Sequence, residues 1–327
     1  MRALKVLRPG LLTTVQDLGR ARQAEGVPAG GAMDRFALRL ANLAVGNAGG
    51  AAALEVTLLG PTLEIQGDVV LAIAGADLGA RLDDRPVPLG RAVRATPGAW
   101  LTFGGSSEGC RAYVAVAGGI DVPLVLGSRS TYLRGRFGGL AGRALAAGDV
   151  LPLAAPAPLN ERIAKGLAPG RATSWTAGPA NRPDYRTDVL RALPGAHLGL
   201  LTPAARETLW HAPFRVTSES DRMGFRLEGP PLELERATEL VSEPVAFGTV
   251  QLPPSGRPIL LMADRQSAGG YPRILEVAGV DLPVAAQART GATLRFQEIS
   301  LHEAQHLYIA RERSLARLSL AIALQRG

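Results

Sequence analysis

Short apolar runs separated by glycine, proline and charged residues recur along most of this 327-residue chain. Residues 54–58 (Leu-Glu-Val-Thr-Leu) alternate between apolar and polar side chains, and Gly60-Pro61 turns the chain into a similar run at 62–65. Alternation with a period of two is typical of strands that are buried on one face. Runs of this kind continue at regular spacing with few helical patterns between them. The chain is therefore predicted to be mainly β, as a barrel or a sandwich.

Three segments carry the apolar spacing and the end signals of helices. Residues 35–45 place apolar side chains on one face, and Asp34 before them is a good N-cap. Thr202 followed by Pro203 predicts a helix that runs to about residue 210. A third helix is predicted from residue 300 to about residue 324, where it closes the chain.

The stretch from residue 152 to residue 170 is rich in alanine and proline and has no periodic pattern. Since a chain of this length is long enough for two domains, we expect a boundary in this stretch. The predicted domains are residues 1–165 and residues 166–327.

One loop concentrates groups that can bind or act on a ligand. It follows the apolar run 258–262, which reads as a buried strand. The loop offers a carboxylate, a guanidinium, an amide and hydroxyl groups, and it includes a pair of glycines. These residues are Asp264, Arg265, Gln266, Ser267, Gly269, Gly270 and Tyr271. Glycines allow the backbone to approach a ligand closely. The alternative interpretation is a β-turn that uses Asp and Gly for ordinary turn chemistry.

Three further polar clusters could complete a site with this loop. Residues 127–131 offer the guanidinium of Arg129 and the hydroxyl of Ser130, and residues 218–224 offer Asp221 and Arg222. Residues 30–34 place backbone N–H groups and Asp34 at a helix N-terminus, where anions bind. Each cluster alone is also compatible with a turn or a cap. Together they suit a site in which arginines fix carboxylates and acids move protons.

Several motifs match the residue pattern of a known catalytic motif but lack the spacing or structural context that it requires. His302-Glu303-Ala304-Gln305-His306 fits H-E-x-x-H, but the chain lacks the spacing of a third zinc ligand, so we expect two exposed histidines on the closing helix and no metal. Residues 105–109 fit G-x-S-x-G, but lie between two strand-like runs rather than at a strand-to-helix turn. No P-loop pattern occurs in the chain.

Composition narrows the classes of partner. The net charge of +7 comes from arginines scattered along the chain, without a basic block, so nucleic-acid binding is not expected and small anionic substrates are favoured. Because Cys110 is the one cysteine of the chain, no intrachain disulfide can form. Its side chain is expected in the core. The first residues show no signal-peptide pattern, and no run approaches 18 apolar residues. A cytoplasmic protein without a membrane partner is expected.

Seven motifs, taken in order, resemble one protein family. They are residues 13–20, 30–34, 41–47, 54–61, 127–131, 220–230 and the loop at 263–272. The chain resembles the C subunit of 5-oxoprolinase, whose family is also described as KipA-like, allophanate hydrolase subunit 2-like or urea carboxylase carboxyltransferase-related. The resemblance implies two cyclophilin-like β-barrel domains in tandem with a few short helices. It also implies partnership with a KipI-like subunit and a LamB/YcsF-like subunit.

The activity implied by the resemblance is the opening of 5-oxoproline, a small amide, to glutamate with ATP consumed by the assembled complex. Two alternatives stay open: a biotin-dependent carboxyltransferase of the urea carboxylase type, with biotin on a separate carrier, and a KipA-like regulator that binds a KipI-like partner. The loop departs from the usual family pattern, because Ser267-Ala268 stands where two threonines are common.

Residue chemistry and motif position suggest a role for each candidate. Asp264 is the expected proton shuttle and Gln266 the hydrogen-bond partner of the amide, with Asp34 and Asp221 as candidates for a second acid–base role. Arg222 and Arg129 are expected to hold the substrate carboxylate or a phosphate. The remaining substrate-binding candidates are Ser130, Gly269, Gly270 and Tyr271.

Overall fold

The computed structural model describes residues 2–106, 108–178, 182–236 and 240–325. The chain forms two compact units. Unit 1 comprises Met1–Arg20, Asp34–Arg182 and Glu312–Gly327, and unit 2 comprises Ala21–Met33 and Pro183–Arg311. Each unit is therefore built from segments that are distant in sequence.

The main division falls after Arg182, whereas the sequence pattern placed a boundary after residue 165. The alanine- and proline-rich stretch is not a bare linker, because its backbone extends a sheet of unit 1. At the end of the stretch the amide of Gly170 donates to the carbonyl of Arg94 over 2.8 Å, and directly after it Ala172 forms an antiparallel bridge with Val93. These hydrogen bonds place the stretch in unit 1.

Unit 1 contains two antiparallel sheets. In chain order its strands are β1 (Ala3–Arg8), β2 (Leu12–Gln16), β3 (Ala53–Thr57), β4 (Thr62–Gln66), β5 (Val69–Asp77), β6 (Arg81–Leu82), β7 (Arg85–Pro86), β8 (Ala92–Ala95), β9 (Trp100–Thr102), β10 (Glu108–Val116) and β11 (Val150–Pro152). The strand orders are β11-β1-β4-β9-β6-β7 and β2-β3-β10-β5-β8. Apolar side chains from both sheets, among them Leu54, Leu63 and Leu71, form one core.

Unit 2 contains a closed barrel of seven strands. In chain order the strands of the unit are β12 (Val189–Pro194), β13 (Phe214–Val216), β14 (Gly224–Glu228), β15 (Glu243–Pro244), β16 (Thr249–Gln251), β17 (Ile259–Leu261), β18 (Ala268–Gly269), β19 (Arg273–Val277) and β20 (Thr293–Glu298). The barrel order is β12-β19-β16-β17-β14-β13-β20, and β15 pairs with β18 as a separate ribbon.

The barrel core comes from cross-strand neighbours on one face of the strands. Val250 lies opposite both Leu275 and Leu260, and Leu260 lies opposite Phe225. All four are buried in one apolar cluster that also includes Met33 from the early segment of the unit. The prediction of a mainly β chain with few helices is confirmed.

Five α-helices are seen in the part of the chain that the structure describes: α1 (Arg35–Ala44), α2 (Pro158–Lys165), α3 (Pro203–His211), α4 (Leu282–Gln287) and α5 (Leu301–Leu324). Short 3-10 helices lie at Gln23–Glu25 and Leu198–Leu200. The predictions of α1, α3 and α5 are confirmed, including the caps: Asp34 accepts from the amide of Ala37 and Thr202 from that of Ala205. No helix within the described ranges is long and apolar enough to span a membrane.

The helices α2 and α4 were not expected. The amide oxygen of Asn160 caps α2 by accepting from the amide of Ala157 over 2.6 Å, and its Nδ2 donates to the carbonyl of Val45. The short helix α4 is almost completely buried. Both helices depend on contacts within their units rather than on a periodic pattern that the sequence displays.

Candidate functional site

The loop at 263–272 begins with a buried ion pair in unit 2. β14 and β17 pair antiparallel, with Gly224 opposite Leu261. The residues just outside this pairing, Arg222 and Asp264, therefore lie side by side. Nε of Arg222 donates to Oδ2 of Asp264 over 2.9 Å, and Nη2 donates to Oδ1 over 3.1 Å. The side chains are 8% and 5% exposed, so the pair is bidentate and largely shielded from water.

The same guanidinium fixes the glycine-rich segment at 30–33. Nη2 of Arg222 also donates to the carbonyl of Gly31 over 2.6 Å, and the amide of Gly30 donates to the carbonyl of Ala263 over 3.1 Å. Gly30 and Gly31 have φ of 62° and 88°, a region that favours glycine. Arg222 thus joins two loops, and its role in substrate binding stays a prediction.

Asp221, the neighbour of Arg222, points to the surface and closes a turn. Its Oδ1 accepts from the amides of Met223 over 2.8 Å and Gly224 over 3.3 Å. This is the ordinary turn use of an Asp side chain. An acid–base role for Asp221 stays a prediction.

The second half of the loop rests against β16. Nε2 of Gln266 donates to Oε1 of Gln251 over 3.1 Å, and Nε2 of Gln251 donates to the carbonyl of Tyr271 over 3.4 Å. A Cβ at position 269 would lie 2.8 Å from Nε2 of Gln251, so any larger residue there would have to displace the Gln251 side chain. Tyr271 is 47% exposed at the end of the loop.

Four polar residues beside the loop were missed by the sequence reasoning: Thr249, Gln251, Arg273 and Glu276. Thr249 lies opposite Glu276 and Gln251 lies opposite Arg273, so all four share one face of β16 and β19. The hydroxyl of Thr249 donates to Oε2 of Glu276 over 2.8 Å. The sequence signal was the alternation of polar and apolar residues in Thr-Val-Gln, which does not by itself distinguish a site from a strand face.

Burial of Glu276 raises the pKa of its carboxyl group above the ordinary value. The hydrogen bond from Thr249 acts in the opposite direction, as do the positive charges of Arg273 and Arg265. Both guanidinium groups are therefore near enough to influence this carboxyl group.

In unit 1, Asp17 holds the cluster at 127–131 in place. Its carboxylate accepts from the hydroxyls of Ser128 (2.6 Å) and Ser130 (2.5 Å) and from the amides of Arg129 (2.6 Å) and Gly19 (2.7 Å). The hydroxyl of Ser130, which is fully buried, also accepts from the amide of Asp17. The contacts of Ser130 thus support the local fold, and its predicted substrate contact is untested.

Arg129 differs from Ser130, because its side chain is 35% exposed. Its Nε donates to the carbonyl of Val122 over 2.8 Å, and Nη2 lies 3.5 Å from Oδ1 of Asp121. The guanidinium is therefore anchored at one edge and accessible to solvent.

Asp34 is fully buried in a polar network of unit 1. Besides capping α1 with its side chain, it donates its backbone amide to the hydroxyl of Tyr113 over 2.7 Å. That hydroxyl donates to Oε2 of Glu55 over 2.7 Å. Burial, together with the nearby carboxylates Glu55 and Asp34, raises the pKa of Tyr113 well above its ordinary value. The sequence analysis missed this network.

The candidates thus fall into separate groups, which the two units hold individually. Unit 2 brings together Arg222, Asp264, Gln266, Gly269 and the loop end. Unit 1 holds Asp34 in one network and Arg129 with Ser130 in another. The expectation that all of these residues serve one site stays a prediction.

Other motifs lie where ordinary structure explains them. His302 and His306 are exposed on α5, and no group of three or more potential metal-ligating His, Cys, Asp or Glu side chains occurs among the residues described. Cys110 is buried in β10, as expected. Ser107 of the G-x-S-x-G match lies outside the described residues, and the flanking segments are the strands β9 and β10.

Comparison with known proteins assigns the chain to a family. A sequence model of the carboxyltransferase domain, subdomains A and B, matches residues 25–298. The chain belongs to the carboxyltransferase domain family. This confirms the resemblance that the seven motifs indicated.

Two bacterial relatives match the carboxyltransferase-family chain over nearly its whole length. It is 41% identical to the C subunit of 5-oxoprolinase from Escherichia coli, over 92% of this chain and 93% of the relative. It is 39% identical to the C subunit of 5-oxoprolinase from Haemophilus influenzae, over 90% of each chain. These relatives are therefore similar in extent as well as in sequence.

A solved structure supports the fold. The crystal structure of the K. lactis urea amidolyase matches with a TM-score of 0.87 at 30% identity. The match covers 97% of this chain but only 20% of that much longer chain. The carboxyltransferase fold thus occurs there as one part of a larger protein.

Proposed function

We propose that this chain is one subunit of an ATP-dependent 5-oxoprolinase complex, which opens 5-oxoproline to glutamate. Its companions in the proposal are a KipI-like subunit and a LamB/YcsF-like subunit. The observation that carries the proposal is the near full-length similarity to the C subunit of a bacterial 5-oxoprolinase, with 41% identity over 92% of this chain. The urea amidolyase of K. lactis, by contrast, is a much longer protein, of which the match covers 20%.

The loop at 263–272 supplies chemistry that suits a lactam substrate. Ring opening adds water across the C–N bond and leaves a carboxylate and an amine, so a proton must reach the nitrogen. In the proposal Asp264 moves that proton, and Arg222 is the positioning residue that holds its carboxylate. Gln266 lies in the same loop, where its side chain contacts Gln251. Its amide group can form hydrogen bonds with the substrate amide.

Reconstitution tests the proposal. The chain is combined with the two companion subunits, and glutamate formation from 5-oxoproline is measured with and without ATP. We expect ATP-dependent glutamate that disappears when this chain is omitted. Equal glutamate formation in the absence of this chain would contradict the proposal.

The family itself favours a second candidate, a biotin-dependent carboxyltransferase of the urea carboxylase type. The matching domain is described as a carboxyltransferase, and the fold is that of a segment of urea amidolyase. This candidate requires bicarbonate and a biotinylated carrier protein. Avidin, which binds biotin, should abolish activity in that case and should leave a 5-oxoprolinase complex unaffected.

A further inference from the structure

The outer face of β16 and β19 carries an acid, Glu276, and a guanidinium, that of Arg273. Val250 and Leu275 point into the barrel core, so Thr249 and Glu276, which lie opposite each other, point outward. The register between the strands shifts at Ile274. This bulge brings Arg273 to the same outer face as Glu276.

The carboxyl group of Glu276 is oriented but only half-buried. Thr249 is fully buried and donates its hydroxyl to Oε2 over 2.8 Å. With the described residues, the Glu276 carboxylate forms this one hydrogen bond. An oriented carboxylate with a second oxygen can accept an N–H group from a ligand.

The guanidinium of Arg273 is anchored without being saturated. Its Nη2 forms an ion pair with Glu243, and the side chain is 25% exposed. Its buried Nε has no hydrogen-bond partner within the described part of the chain. Because Nε is shielded from solvent, a carboxylate ligand would have to bind the exposed part of the guanidinium, which remains charged and partly accessible.

The candidate loop borders this surface. Gln266 is hydrogen-bonded to Gln251, and Gln251 lies opposite Arg273 on the neighbouring strand. Cross-strand neighbours have Cα atoms about 5 Å apart. The acid and the guanidinium are therefore adjacent to the end of the loop that carries Gln266 and Gly269.

The chemistry of 5-oxoproline matches this pair. Its carboxylate is attached to the carbon that is bonded to the lactam nitrogen, so an N–H donor and an anion lie next to each other. We propose that Glu276 accepts the lactam N–H while Arg273 binds the carboxylate of the same molecule. This inference rests on the proposed function and names the residues that select a lactam carrying a carboxylate at that position.

The electrostatics of the surface agree with this assignment. Arg273 on the same strand and Arg265 in the loop both act on Glu276, whereas Leu193, its neighbour on β12, is uncharged. The positive groups favour an anionic ligand. The negative charge of Glu276 repels the carboxylate of the ligand. The ligand carboxylate is therefore directed to Arg273, and the lactam N–H of the ligand to Glu276.

The test measures KM and kcat for 5-oxoproline in the reconstituted complex. Arg273→Gln and Glu276→Ala should each raise KM by about ten- to a hundredfold, the effect of losing a hydrogen bond to a charged group. Arg273→Lys should recover part of the affinity, because it restores the charge without the planar donor pair. If Glu276→Ala does not fold, Glu276→Thr is measured in its place.

A matched control separates binding from a general loss of charge. Glu298→Gln changes an exposed acid on β20 of the same barrel and should leave KM within twofold of the wild type. An unchanged KM for Arg273→Gln or for folded Glu276 variants, in a complex that makes glutamate, would overturn the inference. A wild-type complex that makes no glutamate would instead refute the proposed function.

Discussion

The ion pair between Arg222 and Asp264 should dominate the local stability of unit 2. The two hydrogen bonds, at 2.9 Å and 3.1 Å, join side chains that are 8% and 5% exposed. Asp264→Leu leaves the guanidinium without its carboxylate, and Arg222→Met leaves the carboxylate without its guanidinium. Removal of one partner of a buried pair costs about 3–5 kcal/mol of unfolding free energy.

The double variant Arg222→Met/Asp264→Leu should lose less than the sum of the two single variants. It removes both charges together, so we expect a coupling of about 2–3 kcal/mol. Urea unfolding followed by far-ultraviolet circular dichroism measures all four proteins. Additive losses, within about 0.5 kcal/mol, would refute the argument that these side chains stabilise each other.

Three further predictions concern other contacts. Burial gives Glu276 a raised pKa, so its protonated form contributes stability at low pH that is lost as the pH rises through its native pKa. Glu276→Gln, which stays neutral, should therefore gain stability relative to the wild type as the pH rises above the ordinary pKa of a glutamate, as measured by urea unfolding at each pH. Gly269→Ala should cost about 1 kcal/mol because its Cβ would lie 2.8 Å from Gln251, whereas Gly199→Ala, with open space around its Cβ, should not lower the thermal midpoint. Asp17→Ala should destabilise unit 1 by about 3–5 kcal/mol in urea, because four hydrogen bonds lose their acceptor; a loss below about 1 kcal/mol would contradict this.

Local signals in the sequence predicted part of the fold. Asp34 and Thr202 act as the helix caps that their chemistry indicates, because capping depends on residues within one turn. The helix α2 was missed, since Asn160 stabilises it through contacts with residue 45, far away in the chain. The assignment of residues 21–33 to unit 2 likewise depends on long-range packing, which local patterns do not contain.

Candidate site residues could be chosen from the sequence, and their roles stay predictions, but their partners could not be foreseen. Arg222 and Asp264 are 42 residues apart, and the pairing of β14 with β17 decides that they meet. Glu276 shares the short strand β19 with Arg273 and three apolar residues, a pattern that by itself does not indicate a site. Its relation to Thr249 and Arg273 follows from strand register and from the bulge at Ile274, which residue patterns do not specify.

The central claim, that the loop carrying Asp264 acts in lactam opening, is tested most directly by Asp264→Asn in the reconstituted complex. Asp188→Asn, which changes a half-exposed acid in the same unit, is the matched control. The account predicts that Asp264→Asn loses ATP-dependent glutamate formation while the chain still folds and still assembles, and that Asp188→Asn retains it. Wild-type turnover by a folded, assembled Asp264→Asn complex would contradict the claim.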